Sequence, residues 1–194
     1  MRLKDAVLVQ QLIERKNEEL NIRTLSKASR MDYKNVHAIV KRLEKASLVR
    51  LEKFGPSSRV TLVRRAHPLV FEAEYERRKR LLNDKNVAVA LNDLQNAVTS
   101  RCYVLLVFGS YAKGTQTKRS DIDVMFLVPD GKEERFEREA GRAASVLPLP
   151  IHVLVFSETQ FAEMLRAKEP SVGTEALKNN IIVHGVEAYY EMIA

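Results

Sequence analysis

The chain has 194 residues, of which 45% are hydrophobic and 29% charged, and its net charge is +7. This length and hydrophobic content allow one domain or two small ones and exclude wholesale disorder. No apolar run approaches the roughly 20 residues that a membrane-spanning helix needs, and no signal-peptide pattern is expected at the first residues. The single cysteine, Cys102, excludes an internal disulfide framework and predicts a cytoplasmic protein in which Cys102 is a small buried residue.

Charge is divided unevenly along the chain. Residues 1–83 contain 20 Lys and Arg against 10 Asp and Glu, whereas residues 84–194 contain 12 against 15. A cationic first part favours a polyanionic partner, usually nucleic acid, with a merely solvated basic surface as the alternative. The contrast predicts two domains that have different partners.

The first part has the pattern of three helices followed by a hairpin. Apolar residues at helical spacing predict helices over residues 4–17, 23–29 and 33–46, the last with Asp32 as its N-cap. Two alternating segments, "LVRLEKF" and "RVTLVRR", flank the turn "GPSS" and predict a β-hairpin.

This order of elements resembles a winged helix-turn-helix domain over about residues 5–66. The resemblance implies that the third helix enters the major groove of double-stranded DNA and that the hairpin, or wing, touches the backbone. A protein-interaction module is the alternative for the same fold. The DNA-binding candidates on the third helix and the wing are Lys34, Asn35, His37, Lys41, Arg42 and Arg59.

Residues 67–83 predict a connecting helix that contains four consecutive cations, residues 77–80. Two interpretations of this run stay open. The cations could lie along DNA phosphates, or they could form an exposed helix face.

In residues 84–194 helices and strands alternate. The segments "CYVLLVF", "IDVMFLV" and "IHVLVF" predict strands, and residues 171–193 predict one or two helices. This pattern is typical of an α/β domain with a small mixed sheet of at least three strands. The predicted fold class of the whole chain is therefore α+β, with two domains.

The run "FGSYAKGTQTKRSDIDVMF" joins the first two of these strands. Gly109 at a strand end lets the backbone approach an anion, and Ser110 adds a hydroxyl donor. A short helix follows, whose first N–H groups favour phosphate, and Lys113, Lys118 and Arg119 add positive charge.

Asp121 and Asp123 are two residues apart in a strand-like run, so both carboxylates are expected on one face of the sheet. Ile122 and Val124 would then point into the core. Two adjacent carboxylates repel each other unless a cation lies between them, and Mg²⁺ takes one or two carboxylates together with substrate phosphates. A phosphate-binding loop beside a Mg²⁺ site is the arrangement that nucleotidyl transfer requires.

The same run resembles the motif of the DNA polymerase β-like nucleotidyltransferase superfamily, in particular its minimal prokaryotic members, in a comparison that covers about residues 86–165. The resemblance implies Mg²⁺-dependent transfer of a nucleoside monophosphate from a nucleoside triphosphate to a hydroxyl of a protein, RNA or small molecule. It implies catalysis and metal binding by Asp121 and Asp123. The matching residues are Gly109, Ser110, Gly114, Ser120, Asp121 and Asp123, and the nucleotide-binding candidates are Gly109, Ser110, Lys113 and Ser120.

One position departs from the superfamily pattern. A third carboxylate usually comes from a neighbouring strand, and the resemblance places His152 there. Imidazole is a poor ligand for Mg²⁺ and suits Mn²⁺ or Zn²⁺ better, so weak activity is expected. The alternative is an antitoxin-like DNA-binding transcriptional regulator, in which a catalytically degenerate nucleotidyltransferase fold serves sensing or forms a homodimer.

Overall fold

The computed structural model describes residues 3–55, 57–117, 119–167 and 169–194. The chain divides into two compact units, one comprising the residues up to Glu76 together with Ile193–Ala194, the other Arg77–Met192. No helix in the described ranges is long and apolar enough to cross a membrane. The elements in chain order are α1 (Leu3–Glu14), α2 (Ile22–Ser29), α3 (Tyr33–Lys45), β1 (Val49–Phe54), β2 (Ser57–Leu62), α4 (Pro68–Leu81), α5 (Lys85–Ala97), β3 (Val104–Phe108), α6 (Gly109–Lys113), β4 (Ile122–Val128), α7 (Glu133–Ala144), β5 (Ile151–Ser157), α8 (Glu158–Arg166), α9 (Val172–Lys178), β6 (Asn180–His184) and α10 (Val186–Met192).

Three helices form the first part of unit 1, as the apolar spacing predicts. Their inward faces bury Leu8, Leu25 and Ile39 almost completely. Asp32 caps α3, because its side chain accepts a hydrogen bond of 2.9 Å from the Asn35 backbone N–H. The predicted N-cap is confirmed, and it fixes where the third helix begins.

A two-stranded antiparallel hairpin follows these helices. Val49 lies opposite Leu62, and Glu52 lies opposite Arg59. The Val60 N–H donates to the Leu20 carbonyl at 2.7 Å, which ties β2 to the loop between α1 and α2. The predicted hairpin is confirmed, although Pro56 of its turn lies outside the described residues. Three helices and a hairpin do not by themselves identify a winged-helix domain.

Unit 2 contains a four-stranded mixed sheet in the order β5-β4-β3-β6. Strands β4 and β5 are parallel, whereas β3 is antiparallel to both β4 and β6. Alternate residues of β4, such as Val124 and Phe126, pack with Leu94 of α5 and Phe136 of α7 in one apolar cluster. The predicted mixed sheet is confirmed, and its central strands are held by a core on which the site described below depends.

Strand β6 corrects the prediction that only helices follow residue 171. Its backbone pairs antiparallel with β3, and Ile182 and Val183 are almost fully buried. The strand has five residues between two helices of seven residues each. In so short a segment, an apolar run alone does not distinguish a strand from a buried helical turn.

The run of cations at residues 77–80 divides between two roles: Lys79 and Arg80 are exposed, as one of the two interpretations predicts, whereas Arg77 and Arg78 have partners in β6. Arg77 is buried, and its guanidinium donates to the Asn180 carbonyl. Arg78 donates to the Val183 carbonyl at 2.9 Å. Because β6 is an edge strand, these two side chains satisfy carbonyls that no further strand covers, so their role is structural.

Cys102 is exposed, so the prediction that it is buried is wrong. The reason is where the strand begins. Strand β3 begins at Val104, and Cys102 belongs to the loop that precedes it.

Candidate functional site

The turn from β3 into α6 places a glycine directly against a carboxylate. All five residues of β3 are buried, and the strand ends at Phe108, which pairs with Asp123 of β4. Gly109 follows with a φ of +66°, and a Cβ at this position would overlap with the Asp123 carboxylate. The backbone conformation therefore favours glycine, and a larger residue would have to displace the Asp123 carboxylate.

The loop after Gly109 is shaped by its own hydrogen bonds. Helix α6 ends at Gly114, which has a φ of +68°. The Gly114 N–H donates to the Ser110 and Tyr111 carbonyls. Further along, the Ser120 hydroxyl accepts from the Thr117 N–H at 2.9 Å. Hydrogen bonds between residues of the loop itself thus hold the loop that leads to the aspartates. The predicted phosphate ligand Lys118 lies outside the described residues.

The two aspartates lie at the beginning of β4. This strand starts at Ile122, so Asp121 immediately precedes it rather than lying within it. Ile122 and Val124 are completely buried, whereas Asp121 is exposed and the Asp123 side chain is 31% exposed. Neither carboxylate enters the apolar core, as the alternation of the sequence predicts.

His152 lies beside Asp123 on the neighbouring strand. The parallel register of β4 and β5 puts these two residues directly next to each other. The distance between His152 Nδ1 and Asp123 Oδ1 is 3.3 Å, and the His152 side chain is 59% exposed. His152 therefore lies next to Asp123 on a neighbouring strand, and its correspondence to a third carboxylate stays a prediction.

The donor set at this place is small. Among the described residues, no group of three or more His, Cys, Asp or Glu side chains is arranged to hold a metal ion. Asp123 and His152 are neighbours and can supply two ligands of a coordination sphere, and Asp121 lies exposed just before β4. Such a set fits a divalent ion whose remaining positions are taken by water and phosphate oxygens.

Lys113 has a protein partner. Its Nζ lies 2.7 Å from Glu175 Oε1, which joins α6 to α9. The hydrogen bond from Lys113 and its positive charge hold the pKa of Glu175 below its ordinary value. The predicted phosphate ligand is therefore engaged by a carboxylate that lies 62 residues further along the chain, which no local sequence pattern indicates.

In unit 1, a cleft of about 510 Å³ lies between α3 and the hairpin. The rings of Tyr33 and His37 stack at its edge, with their centroids 6.4 Å apart. Two of the six DNA-binding candidates, His37 and Lys41, reach this cleft. The lining residues are Asn21, Ile22, Tyr33, His37, Lys41, Leu51, Lys53, Gly55, Ser57 and Ser58.

Several DNA-binding candidates have intramolecular partners. The Asn35 amide donates to the capping carboxylate of Asp32, and Arg59 pairs with Glu19. Lys41 pairs with Glu44 one helical turn away, at 2.9 Å. Arg42 pairs with Asp5 of α1 at 2.6 Å. Lys34 is exposed on α3. The structure thus gives Arg42 a role in holding two helices together, which the sequence pattern did not indicate.

Comparison with known proteins bears mainly on unit 2. Residues 96–183 match the family model described as a nucleotidyltransferase domain. This range contains the turn at Gly109, both aspartates and His152. The match supports a nucleotidyltransferase domain in this part of the chain.

Residues 4–64 match a family model described only as HVO_A0114, which gives no function. A solved structure of a candidate nucleotidyltransferase from Sulfolobus solfataricus is 20% identical, and the alignment covers 49% of this chain and 80% of that chain. Its TM-score of 0.32 is too low to support an argument about the fold. No curated protein matches the chain.

Proposed function

We propose that residues 96–183 bind a nucleoside triphosphate with a divalent cation and transfer a nucleoside monophosphate to a hydroxyl acceptor. The observation that supports this best is the close approach of the Gly109 backbone to the Asp123 carboxylate. It brings the turn that we propose to bind phosphate next to the carboxylate that we propose to bind the metal, within a segment that matches a nucleotidyltransferase domain. Phosphate and metal are the two things that nucleotidyl transfer must bring together.

Each residue has a proposed role. The Gly109 and Ser110 backbone N–H groups and the Ser110 hydroxyl bind the β- and γ-phosphates. Asp121 and Asp123 would hold the divalent cation, Mg²⁺ or Mn²⁺, which when bound would supply positive charge for the departing pyrophosphate. Ser120 and Lys113 act indirectly, because Thr117 and Glu175 already engage them and they shape the loop.

In the proposed reaction, the acceptor hydroxyl passes its proton to solvent water and its oxygen forms a bond to the α-phosphorus. The bond from the α-phosphorus to the β-phosphate oxygen breaks, and pyrophosphate leaves. The chain's own residues orient the triphosphate for this step, since positioning is a major part of phosphoryl transfer catalysis.

The test uses each of four labelled nucleoside triphosphates, with Mg²⁺ or Mn²⁺, and protein, RNA and small-molecule acceptors. We expect label on one acceptor with the wild type and none with Asp121→Asn/Asp123→Asn. Equal labelling by the double variant would contradict the proposed site.

We further propose that unit 1 binds double-stranded DNA as a winged helix-turn-helix domain. Three helices and a hairpin are present in the required order, and the residues of unit 1 up to Glu76 contain 16 Lys and Arg against 10 Asp and Glu. The cleft between α3 and the hairpin presents His37 and Lys41, which suits contact with a nucleic acid.

A second candidate function is a DNA-binding regulator whose unit 2 binds a nucleotide without transferring it. The observation that favours it is the position of His152, beside Asp123, where a further carboxylate would assist transfer. Nucleotide binding without labelling of any acceptor, together with DNA affinity that changes when nucleotide is added, would select this candidate.

A further inference from the structure

The separation of Asp123 and His152 suits two ligands of one metal ion. Asp123 Oδ1 and His152 Nδ1 are 3.3 Å apart. Two adjacent ligands that each lie about 2.0–2.2 Å from one ion are about 3.0 Å apart at a right angle and about 3.4 Å apart at a tetrahedral angle. A direct N–H···O hydrogen bond is usually shorter, about 2.9–3.0 Å. The observed distance of 3.3 Å is one that both a long hydrogen bond and two ligands of a shared ion allow.

The two ligands are held in place by the sheet. Asp123 and His152 are register partners on parallel strands, and Ile122 and Val124, on either side of Asp123, are completely buried. Oδ2 of Asp123 lies against Gly109, so Oδ1 is the oxygen that faces the imidazole. His152 is 59% exposed, which leaves the remaining coordination positions open to water and phosphate.

A nitrogen ligand changes which ion the site prefers. Mg²⁺ binds oxygen ligands and releases its water reluctantly, whereas imidazole binds transition-metal ions. We propose that Asp123 and His152 chelate one divalent transition-metal ion of the Mn²⁺ or Zn²⁺ kind, and that His152 makes the site select against Mg²⁺. The proposal rests on the proposed function in one respect, since the phosphates that would complete the coordination belong to the nucleotide. Binding of the ion by Asp123 and His152 can be tested without nucleotide.

The experiment titrates Mn²⁺ alone into the full chain and follows free Mn²⁺ by electron paramagnetic resonance. Even the loss of a group that only orients a metal ligand costs about 10- to 100-fold in affinity, so His152→Ala is expected to weaken Mn²⁺ binding by at least about tenfold. Glu158→Gln is the matched control, since Glu158 is an exposed carboxylate residue that begins α8, directly after the far end of the strand that carries His152. This control should bind Mn²⁺ as the wild type does.

Two further readouts separate a ligand from a structural residue. Bound Mn²⁺ should show ¹⁴N modulation in its electron spin echo, and His152→Ala should abolish it. In competition with Mg²⁺, His152→Asp should hold Mn²⁺ less selectively than the wild type, because all its ligands are then oxygens.

The proposal is overturned if the wild type binds no Mn²⁺, if the ¹⁴N modulation is absent, or if His152→Ala binds Mn²⁺ unchanged. Its failure is distinct from a failure of the proposed function. Nucleotide binding without a metal–nitrogen contact would contradict only the proposed chelate. Mn²⁺ binding without nucleotide binding would contradict only the proposed nucleotidyltransferase function.

Discussion

Gly109 lies against the Asp123 carboxylate, so that a Cβ at this position would overlap with Oδ2. Gly109→Ala should abolish binding of nucleoside triphosphate, because the added Cβ displaces Asp123 from its position. Gly114→Ala is the matched control, since Gly114 has nearly the same φ but open space around it.

Both variants should lose about 1–2 kcal/mol of stability, because each forces a Cβ into a left-handed conformation. Isothermal titration calorimetry should then show nucleotide binding in Gly114→Ala and none in Gly109→Ala. Equal binding by the two variants would mean that the Gly109–Asp123 contact is not part of the site.

The second prediction concerns His152 and turnover. A missing general base typically costs about 10² to 10⁴ in rate, so the wild type should transfer nucleotide slowly with Mg²⁺ and faster with Mn²⁺. His152→Asp should recover part of this loss with Mg²⁺. Rapid Mg²⁺-dependent transfer by the wild type would show that another residue supplies the missing function.

The sequence predicted much of this site because its residues are close together in the chain. A glycine after a buried strand is a local pattern that predicts a turn. Two aspartates flanking an apolar residue are a local pattern that predicts which side chains stay out of the core. The partners of Lys113 and Arg42 could not be predicted in the same way. Glu175 and Asp5 reach them only through the packing of distant helices, and no pattern near either cation indicates this.

Thr99, just after α5, contacts Glu139 of α7, and this contact should make the free energy of unfolding sensitive to acid. The Thr99 N–H donates to Glu139 at 2.8 Å, as does the Thr99 hydroxyl, and Arg135 adds a third hydrogen bond of 2.9 Å. These bonds lower the pKa of Glu139 from 4.5 to about 2. The stability they provide is therefore complete above the unfolded pKa of 4.5 and is lost as the pH falls toward 2.

Denaturant unfolding of the wild type and Glu139→Gln, measured at several pH values between 6 and 2, tests this. Because the glutamine does not titrate, the variant should lose less stability than the wild type over this range. Identical pH profiles would show that the three hydrogen bonds contribute nothing that depends on the charge of Glu139.

Helix α3 has two neighbouring cations, Lys41 and Arg42, whose removal should weaken DNA binding alike but should affect stability differently. Each phosphate neutralised contributes about −0.9 to the slope of log K against log salt, so Lys41→Ala should reduce the magnitude of the slope by about one unit. Arg42→Ala should in addition lower the melting temperature, because Arg42 pairs with Asp5 of α1. Lys85→Ala in unit 2 serves as the control and should leave the slope unchanged, whereas a slope unchanged in Lys41→Ala would favour a protein-interaction role for unit 1.

Some helices and strands are predicted by local sequence signals, whereas others are not. The N-cap at Asp32 and the strands β3 to β5 carry their own local signals, namely a capping side chain and apolar runs between turn residues. Strand β6 depends on pairing with β3, which is about 75 residues away in the chain. Such a strand is defined by its partner rather than by its own pattern, so local reading assigned it to a helix.

For the whole molecule, most of the net charge lies in unit 1. The residues up to Glu76 contain 16 Lys and Arg against 10 Asp and Glu, whereas unit 2, which includes the four cations at residues 77–80, contains 16 against 15. A nucleoside triphosphate is itself an anion, so its proposed site in the nearly neutral unit 2 depends on local backbone donors and a cation rather than on net charge. The net charge of +7 therefore bears on the proposed DNA contact and not on the nucleotide site.

The most direct test of the central claim is calorimetric titration of the full chain with each of the four nucleoside triphosphates, with Mn²⁺ present. We expect saturable binding of at least one nucleotide, and no binding by Asp121→Asn/Asp123→Asn. At about 100 times the Kd, the bound nucleotide should also raise the free energy of unfolding by roughly 2.7 kcal/mol in the wild type alone. The absence of binding with all four nucleotides, or equal binding by the double variant, would contradict the assignment of a nucleotide site to Gly109, Asp121 and Asp123.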